Sequence, residues 1–184
     1  TLKSITGVAC SKSVEELAIS LEIPLIDLKA DTKIDVTIDG ADEVDPQLNL
    51  IKGGGGALTR EKIVAQISRK EVIVIDQSKY SNQLGTQWPV PIEVIPFGWK
   101  TQEKFLQSLG ANPILRTNDQ GNPFITDQFN FIIDADFGTI QEPFLLADQL
   151  KQRTGIVEHG LFIDLATDVI IANEEGIIHK THET

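Results

Sequence analysis

The sequence has 184 residues, and its 16 lysine and arginine side chains stand against 27 aspartate and glutamate side chains, which gives a formal charge of −11 at pH 7. This balance argues against a nucleic-acid partner or an anionic membrane surface, because both require a cationic footprint. No apolar run approaches the ~20 residues of a membrane-spanning helix, and the lone cysteine, Cys10, excludes an internal disulfide and suits the reducing cytoplasm.

The first part of the chain predicts short strands around one helix. We predict a strand over residues 5–10, then a helix to residue 22 that is capped by Ser11 or by Ser13, the latter with Glu16 in a capping box. A second short strand follows over residues 25–28, and residues 34–38 form a β-branched strand that runs directly into Asp39. Because the chain lacks methionine and opens on a strand pattern, we expect that an N-terminal piece is missing.

The middle of the chain has the pattern of an α/β sheet. Residues 48–51 are briefly extended, residues 57–68 are helical with Ile63, Val64 and Ile67 on one stripe, and residues 71–76 (EVIVID) form an apolar strand. Such a strand is typical of a parallel sheet that is covered on both faces. The ligand crevice of this kind of sheet lies at the carboxyl ends of its strands, where Asp39 and Asp76 fall.

A different order of elements begins after the proline-punctuated segment 88–91, which we interpret as a linker. We predict helices near residues 99–109 and 144–150, and strands over residues 92–95, 114–116, 124–133 and 156–162. This βαββαβ order is ferredoxin-like. A hairpin over residues 169–180 is predicted to rejoin the first sheet.

The predicted fold class is therefore α/β, with two domains. A Rossmann-like parallel sheet domain covers residues 1–88 and 163–184, and an inserted ferredoxin-like α+β domain covers residues 89–162.

Four consecutive glycines precede the helix that starts near residue 57. The N–H groups of such a loop can approach an anion closely, with the positive end of the helix behind them. A flexible turn is the alternative interpretation. The run matches neither a Walker A loop nor the dinucleotide fingerprint, because no Gly-Lys-Ser/Thr follows and position 58 is leucine.

Carboxylates gather on both sides of these glycines. Asp39, Asp42, Glu43 and Asp45 fall within seven residues. Their spacing does not follow an EF-hand, and no histidine has a partner at metal-ligand spacing, so we predict no metal site. A solvated acidic turn is the alternative, although Asp39 ends a buried strand, where a charge without a task is unfavourable.

Glu61 falls in the first turn of the predicted helix and points away from the predicted apolar stripe. It is either a solvated glutamate favoured by the helix dipole or a group that overhangs the crevice beside Lys52. Proton transfer next to a carbonyl needs a carboxylate base, a cation at the developing charge and, for a sugar ring, an acid/base pair. Glu61, Lys52 and the pair Asp39/Asp42 can fill these roles.

At these residues the sequence resembles the ribose-5-phosphate isomerase family of type A. The resemblance rests on IDGADEVD (38–45), IKGGGGALTREKI (51–63), VIDQSK (74–79), PVPIEVIPF (89–97) and GIVEHGLFID (155–164). It implies an aldose–ketose isomerase that interconverts D-ribose 5-phosphate and D-ribulose 5-phosphate through a cis-enediolate, in the non-oxidative pentose phosphate pathway. It also implies a homodimer or homotetramer that needs neither a metal nor an organic cofactor.

The resemblance further implies a role for each matched residue. Glu61 would move the proton between C2 and C1, Lys52 would stabilise the enediolate oxygens, and Asp39 and Asp42 would contact the sugar hydroxyls and assist ring opening. Lys79 would lie near the phosphate. The implied substrate contacts are Asp39, Gly40, Ala41, Asp42, Lys52, Gly53, Gly54, Gly55 and Lys79.

The sequence departs from the family pattern in two places. The N-terminal phosphate loop of the family precedes the first residue, so we expect this segment alone to bind phosphate poorly and to be nearly inactive. Gly56 stands where alanine is frequent, which we expect to be a mild change. His159 and Cys10 are predicted to have no chemical role, and Asp134 and Asp136 are predicted to face solvent.

Two other functions remain open on the sequence alone. One is a non-catalytic sugar-phosphate sensor in a transcriptional regulator, and the other is a CoA transferase in which a glutamate forms an acyl intermediate. The complete set of base, cation and acidic pair favours the isomerase, because binding alone does not require it.

Overall fold

Helices and three β-sheets make up the part of the chain that the computed structural model describes, residues 5–182. The helices are α1 (Lys12–Ser20), α2 (Leu58–Ile67), α3 (Lys100–Ser108) and α4 (Pro143–Lys151). The strands are β1 (Thr37–Asp39), β2 (Glu43–Val44), β3 (Leu50–Ile51), β4 (Glu71–Asp76), β5 (Val90–Val94), β6 (Asn112–Leu115), β7 (Phe131–Asp136), β8 (Ile156–His159), β9 (Leu161–Phe162), β10 (Asp168–Asn173) and β11 (Gly176–Thr181).

The first sheet has the strand order β1–β4–β10–β11. β1 and β10 run parallel to β4 on either side of it, and β11 returns antiparallel to β10. The predicted α/β class and the predicted C-terminal hairpin are therefore confirmed. Because the strands are parallel, Asp39 and Asp76 both lie at carboxyl ends, where the crevice of such a sheet is found.

One face of this sheet carries the core. Ile73 and Ile75 of β4 are buried in a cluster that includes Leu58 of α2 and Phe162 of β9, whereas Val74 on the opposite face is 46% exposed. The prediction of a sheet covered on both faces is wrong for residues 5–182. An apolar run thus predicts a buried strand. It does not predict whether neighbouring elements cover one face of the sheet or both.

The chain before β1 is less regular than predicted. One isolated parallel bridge, from Gly7 to Leu25, joins residues 5–10 to residues 25–28. Neither run forms a strand, because within residues 5–182 neither pairs with a neighbour over several residues. Ser11, not Ser13, caps α1 by accepting a hydrogen bond from Val14 N at 3.1 Å. The helix ends at Ser20, two residues earlier than predicted.

The second sheet has the order β6–β7–β5–β8, and its neighbours are all antiparallel. With α3 between β5 and β6 and α4 between β7 and β8, this is the ferredoxin-like arrangement that the order of elements predicted. Leu106 of α3 and Leu146 and Leu150 of α4 bury their side chains in the core of this domain.

Three boundaries in the inserted domain differ from the prediction. β5 begins at Val90, so the segment 88–91 is no free linker; Pro91 lies inside the strand and its carbonyl oxygen accepts a hydrogen bond from Gly160 N at 2.7 Å. β7 begins only at Phe131, because Phe129 has a φ of 62° and turns the chain just before it. Gly160 divides the predicted strand 156–162 into β8 and β9.

α2 has the predicted length but a different buried face. Its buried residues are Leu58, Lys62, Val64 and Ala65. Ile63 and Ile67, which were predicted to lie on the core stripe, are 48% and 43% exposed. Lys62 takes the core position instead because its ammonium group is paired with Glu158 at 2.8 Å, which offsets the unfavourable burial of a charge.

A third, small antiparallel sheet has the strand order β2–β3–β9. Lys52 follows β3 directly, and its N–H donates to Gly160 O at 2.9 Å. A side chain at position 160 would collide with the carbonyl oxygen of Lys52 and lie 2.7 Å from Pro91 Cδ, so this crossing requires glycine. The backbone of Lys52 is thereby held against Gly160, which in turn is bonded to β5.

Candidate active site

The ammonium group of Lys52 is the centre of the site. Its Nζ lies 3.0 Å from Asp39 Oδ2 and 3.3 Å from Glu61 Oε2, and it donates to Gly40 O at 2.6 Å. The side chain is only 4% exposed, and the ring centroid of Phe162 lies 5.5 Å from Nζ. The structure therefore brings together three of the four predicted catalytic side chains around one cation.

Glu61 reaches this cation from the first turn of α2. Its side chain is 16% exposed, and within residues 5–182 its Oε2 accepts no well-directed hydrogen bond, although Lys52 Nζ is 3.3 Å away. Burial raises the pKa of the Glu61 carboxyl; the Lys52 ammonium opposes this rise and Asp39 adds to it. A buried carboxylate whose pKa is raised has the properties of a general base.

Lys52 stays protonated in this environment. Burial alone lowers the pKa of its ammonium group, but the charges of Glu61 and Asp39 outweigh that effect, so the pKa is raised above its ordinary value. A protonated amine that its surroundings hold in place can stabilise negative charge that develops beside it. Asp39, Glu61 and Gly40 O hold this ammonium group.

Asp42 stands on the other side of the glycine loop, by which we mean residues 53–56. Its Oδ2 accepts a hydrogen bond from Gly54 N at 2.7 Å, and a Cβ at Gly54 would lie 2.5 Å from Oδ1. Gly53 has a φ of +106°, which other residues rarely adopt. An added Cβ at Gly55 would have no atom within 4 Å, so the loop is open there.

The remaining predicted contacts lie at the rim of this cluster. Gly40 N donates to Asp39 Oδ1 at 2.8 Å, and Ala41 packs against the core of the first domain. The ammonium group of Lys79 lies 4.8 Å from the centroid of the Trp88 ring, and within residues 5–182 no ion pair joins it to the other predicted site residues. The structure does not bring Lys79 into contact with Lys52.

A cavity of about 750 Å³ opens beside the cluster. Its lining includes Asp39, Glu61, Cys10 and Ser11, but not Lys52, Asp42 or the glycine loop. This volume lies within the range of small-ligand sites, ~300–1,000 Å³. Burial raises the pKa of the Cys10 thiol to about 11, and the carboxylates of Asp39 and Glu61 contribute to the rise, so the thiol is protonated and a poor nucleophile.

Two expectations about neighbouring residues are wrong. Asp134 does not face solvent: it forms an ion pair with Arg116 at 2.5 Å, and its side chain is mostly buried. The difference between glycine and alanine at position 56 is not mild in this chain. Gly56 has a φ of +83°, and the Cβ of an alanine there would lie 2.5 Å from the Phe124 ring.

Two positively charged side chains near the site were missed by the sequence analysis. Arg116 contacts the glycine loop, and Lys62 ties α2 to β8 by donating to Glu158 Oε1 at 2.8 Å and to His159 O at 2.5 Å. Burial lowers the pKa of Lys62 to about 8 and, together with the Lys62 charge, that of His159 to about 3. These contacts span long stretches of sequence, so no local motif signals them.

Among residues 5–182, no group of three or more histidine, cysteine, aspartate or glutamate side chains is arranged to hold a metal ion. Within the same range, every helix is too short or too polar to cross a bilayer.

Comparison with known proteins gives matches along most of the chain. The family model of ribose 5-phosphate isomerase A (phosphoriboisomerase A) matches residues 6–176. The ribose-5-phosphate isomerase A of Chloroflexus aurantiacus is 52% identical over 180 residues, covering 98% of this chain and 75% of that protein. Its counterpart from Desulfatibacillum aliphaticivorans is 52% identical over 176 residues, covering 96% and 76%.

Solved structures agree with these matches. A D-ribose-5-phosphate isomerase in complex with phospho-erythronic acid has a TM-score of 0.93 and 42% identity, covering 97% of this chain and 78% of that one. The ribose 5-phosphate isomerase A of Methanocaldococcus jannaschii has a TM-score of 0.91 and 34% identity, covering 97% and 79%. The resemblance seen in the sequence motifs is confirmed, and this chain belongs to the ribose 5-phosphate isomerase A family.

Proposed function

We propose that this isomerase interconverts D-ribose 5-phosphate and D-ribulose 5-phosphate with Glu61 as the base and Lys52 as the electrophile. The observation that carries the assignment is the convergence of Asp39 Oδ2 and Glu61 Oε2 on Lys52 Nζ, at 3.0 and 3.3 Å. Family membership supplies the reaction, and the geometry supports the division of labour among the side chains.

The proton transfer follows from this arrangement. A Glu61 carboxylate oxygen takes the proton from C2 of the open-chain aldose, the C–H electron pair forms the C1–C2 double bond, and the carbonyl electrons move to O1. The Lys52 ammonium group stabilises the resulting enediolate. Glu61 then returns the proton to C1, while the O2 proton passes to O1 and the carbonyl is restored at C2.

Asp39 and Asp42 are proposed to open the sugar ring and to hold its hydroxyl groups. Asp39 Oδ2 forms an ion pair with Lys52, and Asp42 Oδ2 accepts a hydrogen bond from Gly54 N. Both carboxylates are therefore oriented before substrate binds. Further substrate contacts are proposed for Gly40, Ala41, Gly53, Gly54 and Gly55. We also propose that Lys79 binds phosphate, because it follows the carboxyl end of β4 at the crevice edge.

The assignment of the base is tested by Glu61→Gln in the full-length protein, a change that keeps the shape of the side chain and removes its basicity. We expect kcat to fall by about 10²–10⁴-fold with little change in KM, since general base catalysis contributes that much. Glu103→Gln is the matched control, because Glu103 also lies in the first turn of a helix, α3, outside this cluster. A Glu61→Gln enzyme with wild-type kcat would rule out the assignment.

Several properties beyond the reaction are also proposed. Family membership favours a place in the non-oxidative pentose phosphate pathway, and the single cysteine favours the cytoplasm. A homodimer or homotetramer is supported by exposed apolar side chains of the inserted domain, among them Phe97 and Ile114, and sedimentation would measure it. The family match gives no support to the alternative of a regulator domain.

A further inference from the structure

Arg116 follows β6 in the inserted domain, yet its guanidinium group contacts the glycine loop of the first domain. Its Nη1 donates to Gly53 O at 2.8 Å and to Gly54 O at 3.1 Å. One nitrogen atom therefore donates hydrogen bonds to two successive carbonyl groups of the loop that follows Lys52.

Asp134 of β7 holds this guanidinium group from the opposite side. Its Oδ2 accepts from Arg116 Nε at 2.9 Å and its Oδ1 from Nη2 at 2.5 Å. The two side chains are 14% and 23% exposed. A bidentate pair of this kind fixes the plane of the guanidinium group, so Nη1 is aimed at the loop in advance.

The two hydrogen bonds determine which way the peptide groups of the loop point. In a trans peptide the C=O and the N–H point in opposite directions, and residues 5–182 contain no cis peptide. With the Gly53 and Gly54 carbonyls turned toward Arg116, the N–H groups of Gly54 and Gly55 point away from it. Gly54 N does so, donating to Asp42 Oδ2 at 2.7 Å.

The N–H group of Gly55 is left as a free donor. Within residues 5–182 no hydrogen bond uses it, and Gly55 is open on the side where a Cβ would stand, with no atom within 4 Å. An oxygen atom of a sugar or a phosphate could accept a hydrogen bond there beside Asp42. Backbone N–H groups of glycine loops are well suited to such oxygens.

We infer that Arg116 is a positioning residue for substrate binding, which orients the glycine loop so that the Gly54 N–H holds Asp42 and the Gly55 N–H faces the sugar phosphate. Asp134 acts one step further away by orienting Arg116. The inference rests on the proposed function for its substrate, but the orientation of the loop is independent of it.

The kinetic test compares Arg116→Met and Arg116→Lys with wild type, all in the full-length protein. We expect Arg116→Met to raise KM for ribose 5-phosphate about tenfold or more, the effect of losing oriented hydrogen bonds, while kcat changes less than about threefold because Glu61 and Lys52 remain in place. The KM of Arg116→Lys is expected to lie between those of wild type and Arg116→Met, because one ammonium group cannot donate to Asp134 and to both carbonyl groups together.

Arg153→Met is the matched control. Arg153 is also paired with a side chain of the inserted domain, donating to Gln102 Oε1 at 3.1 Å and lying 4.9 Å from the centroid of the Phe105 ring, but it does not contact the loop. We expect the Arg153→Met substitution to leave KM for ribose 5-phosphate unchanged. If Arg116→Met leaves KM unchanged, or lowers only kcat together with stability as a structural crosslink would, the inference is overturned.

A second measurement does not depend on activity. The Gly54 amide proton is expected to exchange with solvent at least about tenfold faster in Arg116→Met than in wild type, whereas the Gly138 amide, which donates to Asp136 Oδ1 at 2.8 Å, is expected to be unaffected. Unchanged Gly54 exchange overturns the inference. A full-length protein without isomerase activity but with this Arg116-dependent protection would contradict the proposed function and leave the loop orientation supported.

Discussion

Glu71 is a buried carboxyl group for which the mechanism has no use. It begins β4, its residue surface is 1% exposed, and within residues 5–182 neither carboxyl oxygen has a hydrogen-bond partner. Burial raises its pKa to about 7, and the nearby negative charges of Asp39 and Glu61 add to the rise while Lys52 opposes it. Burial, with a contribution from Asp39 and Glu61, therefore makes ionisation of Glu71 unfavourable in the folded protein.

Glu71→Gln is expected to remove a pH dependence of stability. In the wild type, the contribution of Glu71 to the free energy of unfolding falls as pH rises between about 4.5 and 7, because the unfolded chain releases the proton that the folded protein retains. Above about pH 7 the loss from this group totals about 3 kcal/mol. The amide that replaces the carboxyl group cannot ionise, so the advantage of the variant over wild type should be larger at pH 8 than at pH 5. Urea unfolding at both values measures this, and an equal difference at the two values would contradict it.

At the scale of elements, the crossing of Gly160 with the residue after β3 is the tightest packing beside the site. Gly160→Ala is expected to lower the free energy of unfolding by about 1–3 kcal/mol, because the new methyl group collides with the Lys52 carbonyl oxygen and with Pro91. Gly55→Ala is the control for stability, since its Cβ would enter open space. Equal urea midpoints for the two variants would show that the crossing yields without strain.

Local signals explain which elements could be predicted from the sequence. The run of glycines, the helix after it and the strand Glu71–Asp76 are encoded within short windows, and all three lie where predicted. The buried face of α2 could not be predicted, because Lys62 is made tolerable in the core by Glu158, 96 residues away. Arg116 was missed for the same reason: its acceptors Gly53 and Gly54 lie more than 60 residues earlier.

At the scale of the whole molecule, we propose that the domain boundaries fall as the sequence predicted, at residues 1–88 with 163–184 and at 89–162. The strands of the inserted sheet lie between Val90 and His159, which supports these limits. The two domains are nevertheless joined at α2, where Thr59 donates to Glu93 and Lys62 donates to Glu158 at 2.8 Å.

These junctions predict that both domains unfold in one cooperative transition. Heat-capacity measurements should give a single peak with equal calorimetric and van't Hoff enthalpies, and fluorescence of Trp88 and Trp99 should change together with the circular dichroism of the helices. Lys62→Met, which leaves Glu158 without that partner, is expected to lower the midpoint of the single transition. Two resolved peaks in the wild-type protein would contradict this prediction.

The hydrogen bond from Lys52 N to Gly160 O has a consequence for protein engineering. The amine that we propose as catalytic is anchored by a strand crossing that belongs to the proposed insertion, so a minimised enzyme made by deleting residues 89–162 would lose the anchor along with the insert. Grafting experiments face the same constraint. A designer who wishes to transplant this chemistry onto a smaller scaffold must rebuild the backbone support of Lys52 first and choose the side chains afterwards.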